Sequence, residues 1–159
     1  MKKVLYLLIS ILLFNMTSCS KSSDDDTDVP STEKQIESIK SSLIGKWKAA
    51  ALKDDDIGIW NYATLERSIE TLTFNSDGTF HYFEGSTLSD KYDKEWTGTY
   101  KIKLGVDKFI LYLSYIDNYN HQREDEHDCN FDKKDVKILY TRQKYEAVKS
   151  TIMTLWKKE

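Results

Sequence analysis

The chain has 159 residues, enough for one ordinary domain, with 23 Lys and Arg against 26 Asp and Glu. Aromatic residues make up 13% of it and proline occurs once, which excludes a disordered chain. Without Lys2 and Lys3, which fall in a leader, the basic count drops from 23 to 21 against 26 acids. The resulting net charge of about −5 argues against nucleic acid as a partner.

Lys2 and Lys3 precede Val4 to Phe14, an apolar run that is too short for a membrane span but suits a secretory leader. Met16-Thr17-Ser18-Cys19 follows and resembles a bacterial lipobox, where the leader is cut before a cysteine that then carries lipid. Met16 departs from the leucine more usual at the first position. The resemblance implies a signal peptide over residues 1–18 and a thioether diacylglycerol plus an N-acyl chain on Cys19. Two or three acyl chains suffice for stable anchoring where one would be marginal. With Cys19 acylated, Cys129 has no intramolecular partner and reads as a tolerated or partly buried thiol.

From Ser20 to Ser31 the sequence has no aromatic residue and only Val29 as a large apolar one, so residues 19–31 read as a lipidated cysteine and a flexible acidic tether. Fully extended, such a tether reaches about 40 Å. A cysteine followed by serines and Asp24-Asp25-Asp26 is also similar to the export tag of surface-exposed lipoproteins in some Gram-negative bacteria. The expected address is the outer membrane, with display on the outer face and a periplasm-facing anchor both open.

Thr32 to Gln35 fits a capping box with Thr32 at the N-cap, and Ile36, Ile39 and Leu43 fall on one stripe of a helix of about three turns. Gly45 ends it. The period then switches to two. Lys46 to Ala49 alternates, and Glu70 to Phe74 and Thr79 to Phe83 flank the turn Asn75-Ser76-Asp77-Gly78 as a hairpin over residues 69–84. Trp96 to Ile102 alternates as well. Phe109 to Ile116 is apolar on both faces and reads as a fully covered strand. Lys137 to Thr141, Tyr145 to Lys149 and Ile152 to Trp156 read as short strands, with a weaker one near Cys129 to Phe131. Eight or nine evenly spaced strands after one helix predict a mainly β fold, a sandwich or an up-and-down barrel.

Gly45-x-Trp47 at the entry to the first strand is similar to the opening motif of lipocalins, in which the tryptophan closes one end of an antiparallel eight-stranded barrel. With the Leu72 to Phe80 hairpin and Gly98-Thr99-Tyr100, the chain from residue 32 to 159 resembles the lipocalin-like domain family of Gram-negative bacterial lipoproteins, most of whose members have no assigned function. The classical Thr-Asp-Tyr motif is missing, and the chain ends three residues after Trp156, where the classical family carries a helix. The resemblance implies an arginine over Trp47, with Arg142 and Arg67 as equal candidates. It also implies a lid loop over Leu52 to Arg67, bearing Ile57, Ile59, Trp60 and Tyr62.

No serine stands in a nucleophile elbow and no Gly-rich phosphate loop exists, so neither an enzyme nor a cofactor is expected. His127 and Cys129 are weak evidence for a catalytic pair. The segment from His121 to Cys129 offers imidazoles, carboxylates and a thiol, yet matches no established metal spacing and reads as a polar connection. Asp54-Asp55-Asp56 lacks the glycine and terminal glutamate of a calcium loop. The candidate ligand-binding residues are inward aromatics, Trp47, Phe74, Phe80, Tyr82, Trp96 and Tyr100, with Leu72, Leu111 and Leu113 beside them. They serve either a pocket for a small, partly apolar ligand or a solid core that carries a surface for an envelope protein partner.

Overall fold

The computed structural model describes residues 31–55, 57–61, 68–88, 93–145 and 149–159. The leader, Cys19, nearly all of the tether, Asp56, Tyr62 and Arg67 lie outside them. One helix, α1 (Thr32–Leu43), is followed by β1 (Gly45–Asp54), β2 (Trp60–Asn61), β3 (Ser68–Phe74), β4 (Thr79–Ser86), β5 (Lys94–Leu104), β6 (Phe109–Ile116), β7 (Gln122–Phe131), β8 (Ile138–Tyr145) and β9 (Ser150–Lys158). Strands β3 to β9 pair antiparallel in chain order, and β1 joins β3 on one side and β9 on the other. The result is a closed eight-stranded up-and-down barrel, with the two-residue β2 added to β1.

Closure removes most of the free sheet edge but demands that β1 match two partners at once. It pairs with β3 only over Gly45 to Lys48, whereas its pairing with β9 runs from Trp47 opposite Lys158 to Asp54 opposite Ile152. A register shift between Ala49 and Ala51 lets β1 bend from one partner toward the other.

Trp47 fills the end that α1 covers. It is fully buried, its Nε1 donates to the Leu43 carbonyl at 2.7 Å, and its ring lies 6.2 Å from that of Phe131. Leu43, Phe74, Phe109, Leu139 and Trp156 complete this packed end. Phe74 meets Tyr100 edge-on at 5.0 Å, and the Tyr100 hydroxyl donates to the Asn75 carbonyl in the β3–β4 turn. The Trp156 indole donates to Thr141 Oγ1 at 2.8 Å. Each buried polar tip thus has a partner at this end.

Among the described residues the cation over Trp47 is a lysine, not Arg142. Lys158 Nζ sits 5.3 Å from the center of the Trp47 ring and donates to the Ser42 carbonyl at 2.7 Å, at the negative end of the helix dipole. Arg142 faces outward instead and pairs with Asp55 at 3.0 Å. Gly45 lies beside Lys158, and its backbone angle is what favours glycine. Gly45 has φ +123°, and a Cβ there would stand 2.9 Å from Lys158 Cε.

Other elements depart from the sequence expectation. The helix N-cap is Ser31 rather than Thr32, with no side-chain capping bond, because Gln35 N–H takes the Ser31 carbonyl. β6 is covered on one face only: Phe109, Leu111 and Leu113 are buried, while Ile110, Tyr112 and Ser114 are half-buried on the outside of the barrel. The expected short strand at Cys129 is the end of β7, ten residues long. Tyr145 ends β8 rather than opening a strand of its own. Up to Asn61 the expected lid loop follows the outer wall. Trp60 packs at 6.2 Å on Tyr140, which alternates with the inward Leu139 and Thr141, while Ile57 and Ile59 stay exposed.

Gly45→Ala is expected to destabilise the fold by about 1–3 kcal/mol in urea unfolding, since it combines a disfavoured φ with the Lys158 contact. Lys48→Ala, on the outer face of the same strand, is expected to stay within about 0.5 kcal/mol.

Candidate functional site

Beyond the packed end the interior is not filled. The half of the barrel away from α1 holds a cavity of about 770 Å³, within the size range of small-molecule sites. Its walls are built by alternation, because every second residue of a barrel strand points inward. On β4 and β5 this puts Phe80, Tyr82 and Trp96 on the wall, and on β6 Leu111, Leu113 and Tyr115. Tyr82 and Trp96 stack face to face at 4.8 Å and 11°, and Tyr115 lies 5.4 Å from Trp96. The three rings pack on one another as an aromatic cluster along one wall.

Of the six aromatics singled out from the sequence, Phe80, Tyr82 and Trp96 line this cavity. Trp47, Phe74 and Tyr100 belong to the packed end. Leu72, Leu111 and Leu113 also reach the cavity wall.

Polar residues at inward positions are the part the sequence did not single out. Glu70 stands on the same face of β3 as Leu72 and Phe74, and its Oε1 accepts the Tyr82 hydroxyl at 2.9 Å. Burial pushes its carboxyl above the ordinary range, and the Tyr82 bond pulls the other way. Asp125 Oδ2 accepts the Tyr115 hydroxyl at 2.7 Å. Burial and these carboxylates raise both tyrosine hydroxyls well above their usual values, so both remain donors. Strict alternation along the β3–β4 hairpin would have placed Glu70 and Glu84 inside, beside Leu72 and Tyr82.

The mouth is charged and internally paired. Lys94 Nζ meets Glu84 at 3.1 Å, and Arg123 Nε meets Asp117 at 2.8 Å. Asp117 also accepts the backbone N–H groups of Tyr119 and His121, and these bonds, the His121 one above all, hold its carboxyl down at about 2. That ties the β6–β7 turn into one conformation at the rim.

Deeper in the wall two side chains lack partners. Both ring nitrogens of His127 and the indole Nε1 of Trp96 are shielded from solvent without a hydrogen bond among the described residues. A buried polar group left this way costs about 1–3 kcal/mol, so such groups mark places where water or a ligand belongs. Burial pulls the His127 pKa down, and the neutral ring offers one N–H and one acceptor nitrogen.

The segment His121 to Cys129, expected as a polar connection, is mostly strand. Alternation sends Asp125, His127 and Cys129 inward and Glu124, Glu126 and Asp128 outward. No group of three or more metal-ligating side chains converges among the described residues. Cys129 is fully buried, its thiol faces the His127 backbone carbonyl at 3.4 Å, and burial pushes its pKa far up. The thiol therefore faces a carbonyl, not an imidazole.

The sequence matches no family model and no curated protein. A redesigned β-barrel of known structure is similar at a TM-score of 0.48 and 16% identity, over 76% of this chain and 94% of that one.

His127 supplies a pH test. Its folded pKa lies below the unfolded value of 6.5, so below that pH the unfolded chain binds a proton that the folded chain resists. Its contribution to stability is present above pH 6.5 and is lost as pH falls toward the folded value. The melting temperature of the wild type is expected to drop between pH 7 and 5.5 by more than that of His127→Gln, as read by circular dichroism.

Proposed function

We propose that the protein is a lipid-anchored lipoprotein of the Gram-negative cell envelope whose barrel binds a small, partly apolar ligand. The cavity carries this reading: an interior of about 770 Å³, walled in part by stacked aromatic rings and supplied with hydrogen-bonding groups that have no partner among the described residues. Apolar walls with a few placed polar groups are the usual make-up of a small-molecule site. The kinship proposed is with lipocalin-like lipoprotein domains, supported by Gly45-x-Trp47 at the head of the barrel and by the cation of Lys158 over Trp47. The protein acts as a binding module and not as an enzyme, and it takes no cofactor.

The anchor rests on Met16 to Cys19, which supports a leader over residues 1–18, acyl chains on Cys19, a tether to residue 31 and a barrel domain from 32 to 159. The outer membrane is the proposed address, with the acidic run after Cys19 favouring the surface. A second reading, a protein-interaction or inhibitor domain, finds support in the exposed Ile57 and Ile59 beside Trp60 on the outer wall. Its expectation of a solid barrel core does not fit the cavity.

Native mass spectrometry of the protein made in an exporting Gram-negative host is the test. A stoichiometric adduct below about 1 kDa, released on denaturation, is the expected result. A protein adduct at equal stoichiometry with an empty barrel would favour the second reading instead.

A further inference from the structure

The wall around the cavity is not equally closed on all sides. β7 stays paired with β6 to its outer end, Ile116 opposite Gln122, and β8 stays paired with β9 to its own, Tyr145 opposite Ser150. Between β7 and β8 the pairing stops earlier, at Asp128 opposite Arg142. In a continued register His127, Glu126 and Asp125 would stand opposite Gln143, Lys144 and Tyr145. β1 and β3 part as well, beyond Lys48 and Thr71, but there β2 pairs with β1 at Leu52 and Lys53 on the side that β3 has left. The gap between β7 and β8 borders the cavity, which Asp125, His127, Gln143, Lys144 and Tyr145 all line. Lys144 alternates with the inward Gln143 and Tyr145, so it belongs to the outer face, yet it too meets the interior. That fits a wall that is open beside it.

We infer that the gap between β7 and β8 is a side portal, through which a small, partly apolar ligand enters and leaves the barrel. This rests on the proposed binding reading and adds the route. Backbone N–H and C=O groups along two parted strands need water where they lack each other, so a ligand that passes there displaces solvent. Widening the wall between β6 and β7, or between β8 and β9, would instead break ladder bonds and leave their groups unpaired. The gap reaches down to His127, which stands level with Leu111 on the cavity wall. A ligand taking it bypasses the ion pairs of Lys94 with Glu84 and Arg123 with Asp117 at the end mouth. The flanking residues also give closure little to gain. A zipped gap would set Asp125 against Tyr145 and His127 against Gln143 on the inside, with no pair of two apolar side chains to hold it.

Cross-linking tests the route. Glu126→Cys with Lys144→Cys, bridged by bis-maleimidoethane, ties the gap from outside. Tyr112→Cys with Glu126→Cys, bridged by the same reagent, ties the paired strands β6 and β7 and leaves the gap free. Cys129 is buried and stays out of the reaction. The probe is N-phenyl-1-naphthylamine, a neutral dye whose fluorescence rises in an apolar interior, followed by stopped flow. Bridging the gap is expected to slow uptake and release alike, each by about tenfold or more against the control bridge, with Kd within about twofold, because an entry route changes both rates and leaves the bound state as it is. Release as fast as in the control bridge would overturn the portal and leave the binding reading standing. So would a bridged gap that weakens binding without slowing release. If neither the wild type nor a bridged form takes up the dye, both fail.

Discussion

The contact of Trp47 with Leu43 and Lys158 decides what the rest of the barrel can be. A ring of eight strands has two ends, and its interior must be either filled or covered at each. At one end Trp47 fills it, held by its own N–H on the Leu43 carbonyl and by the Lys158 ammonium over its face. The same lysine bonds to Ser42, so one cation joins α1, β1 and β9 at the seam where the barrel closes. Gly45 sits beside this contact with φ +123°, a backbone angle that favours a residue without a side chain. Helix, seam and plug are one construction.

With one end plugged, the aromatic residues of the other end border a cavity instead of filling it. Tyr82, Trp96 and Tyr115 pack on one another along one wall and leave a cavity beside them. Inward polar groups then become tolerable in that half. Glu70 and Asp125 find tyrosine hydroxyls, while His127 and Trp96 wait with nitrogens unmet. In the packed half the same residue types would be expensive, and there the tryptophan and tyrosine tips are all paired. The buried side-chain nitrogens left without a partner among the described residues, those of His127 and Trp96, belong to residues that line the cavity.

How legible each half is in the sequence follows from this division. Strands that feed the packed end announce themselves, since Trp47, Leu72, Phe74, Phe80 and Tyr100 alternate with polar residues and the turn at Asn75 to Gly78 fixes the hairpin. β7 hides. Its inward residues near the cavity are Asp125 and His127, as polar as the outward Glu124 and Glu126, so alternation is invisible and the segment resembles a loop. β8 loses its pattern in the same way where Gln143 and Tyr145 reach the mouth. β6 misleads in the opposite sense, with Ile110 and Tyr112 on the outer wall beside buried Leu111 and Leu113. The aromatic residues of the interior are readable as inward, but whether they fill a barrel depends on its width and on how the rings tilt. Neither is written in residue types. Nothing in the local sequence around Lys158 marks it as the cation over Trp47, because the contact joins residues at opposite ends of the barrel domain.

The most direct measurement of the central claim, a barrel plugged at one end and open at the other, is a crystal structure that shows ordered water. The account predicts density, water or ligand, between the Trp96 and His127 side chains and within hydrogen-bonding distance of a His127 nitrogen, while Trp47 stays sealed under Lys158. Rings of Tyr82, Trp96 and Tyr115 folded inward onto Leu111 and Leu113, with less than the roughly 30 Å³ a water occupies left between them, would contradict it.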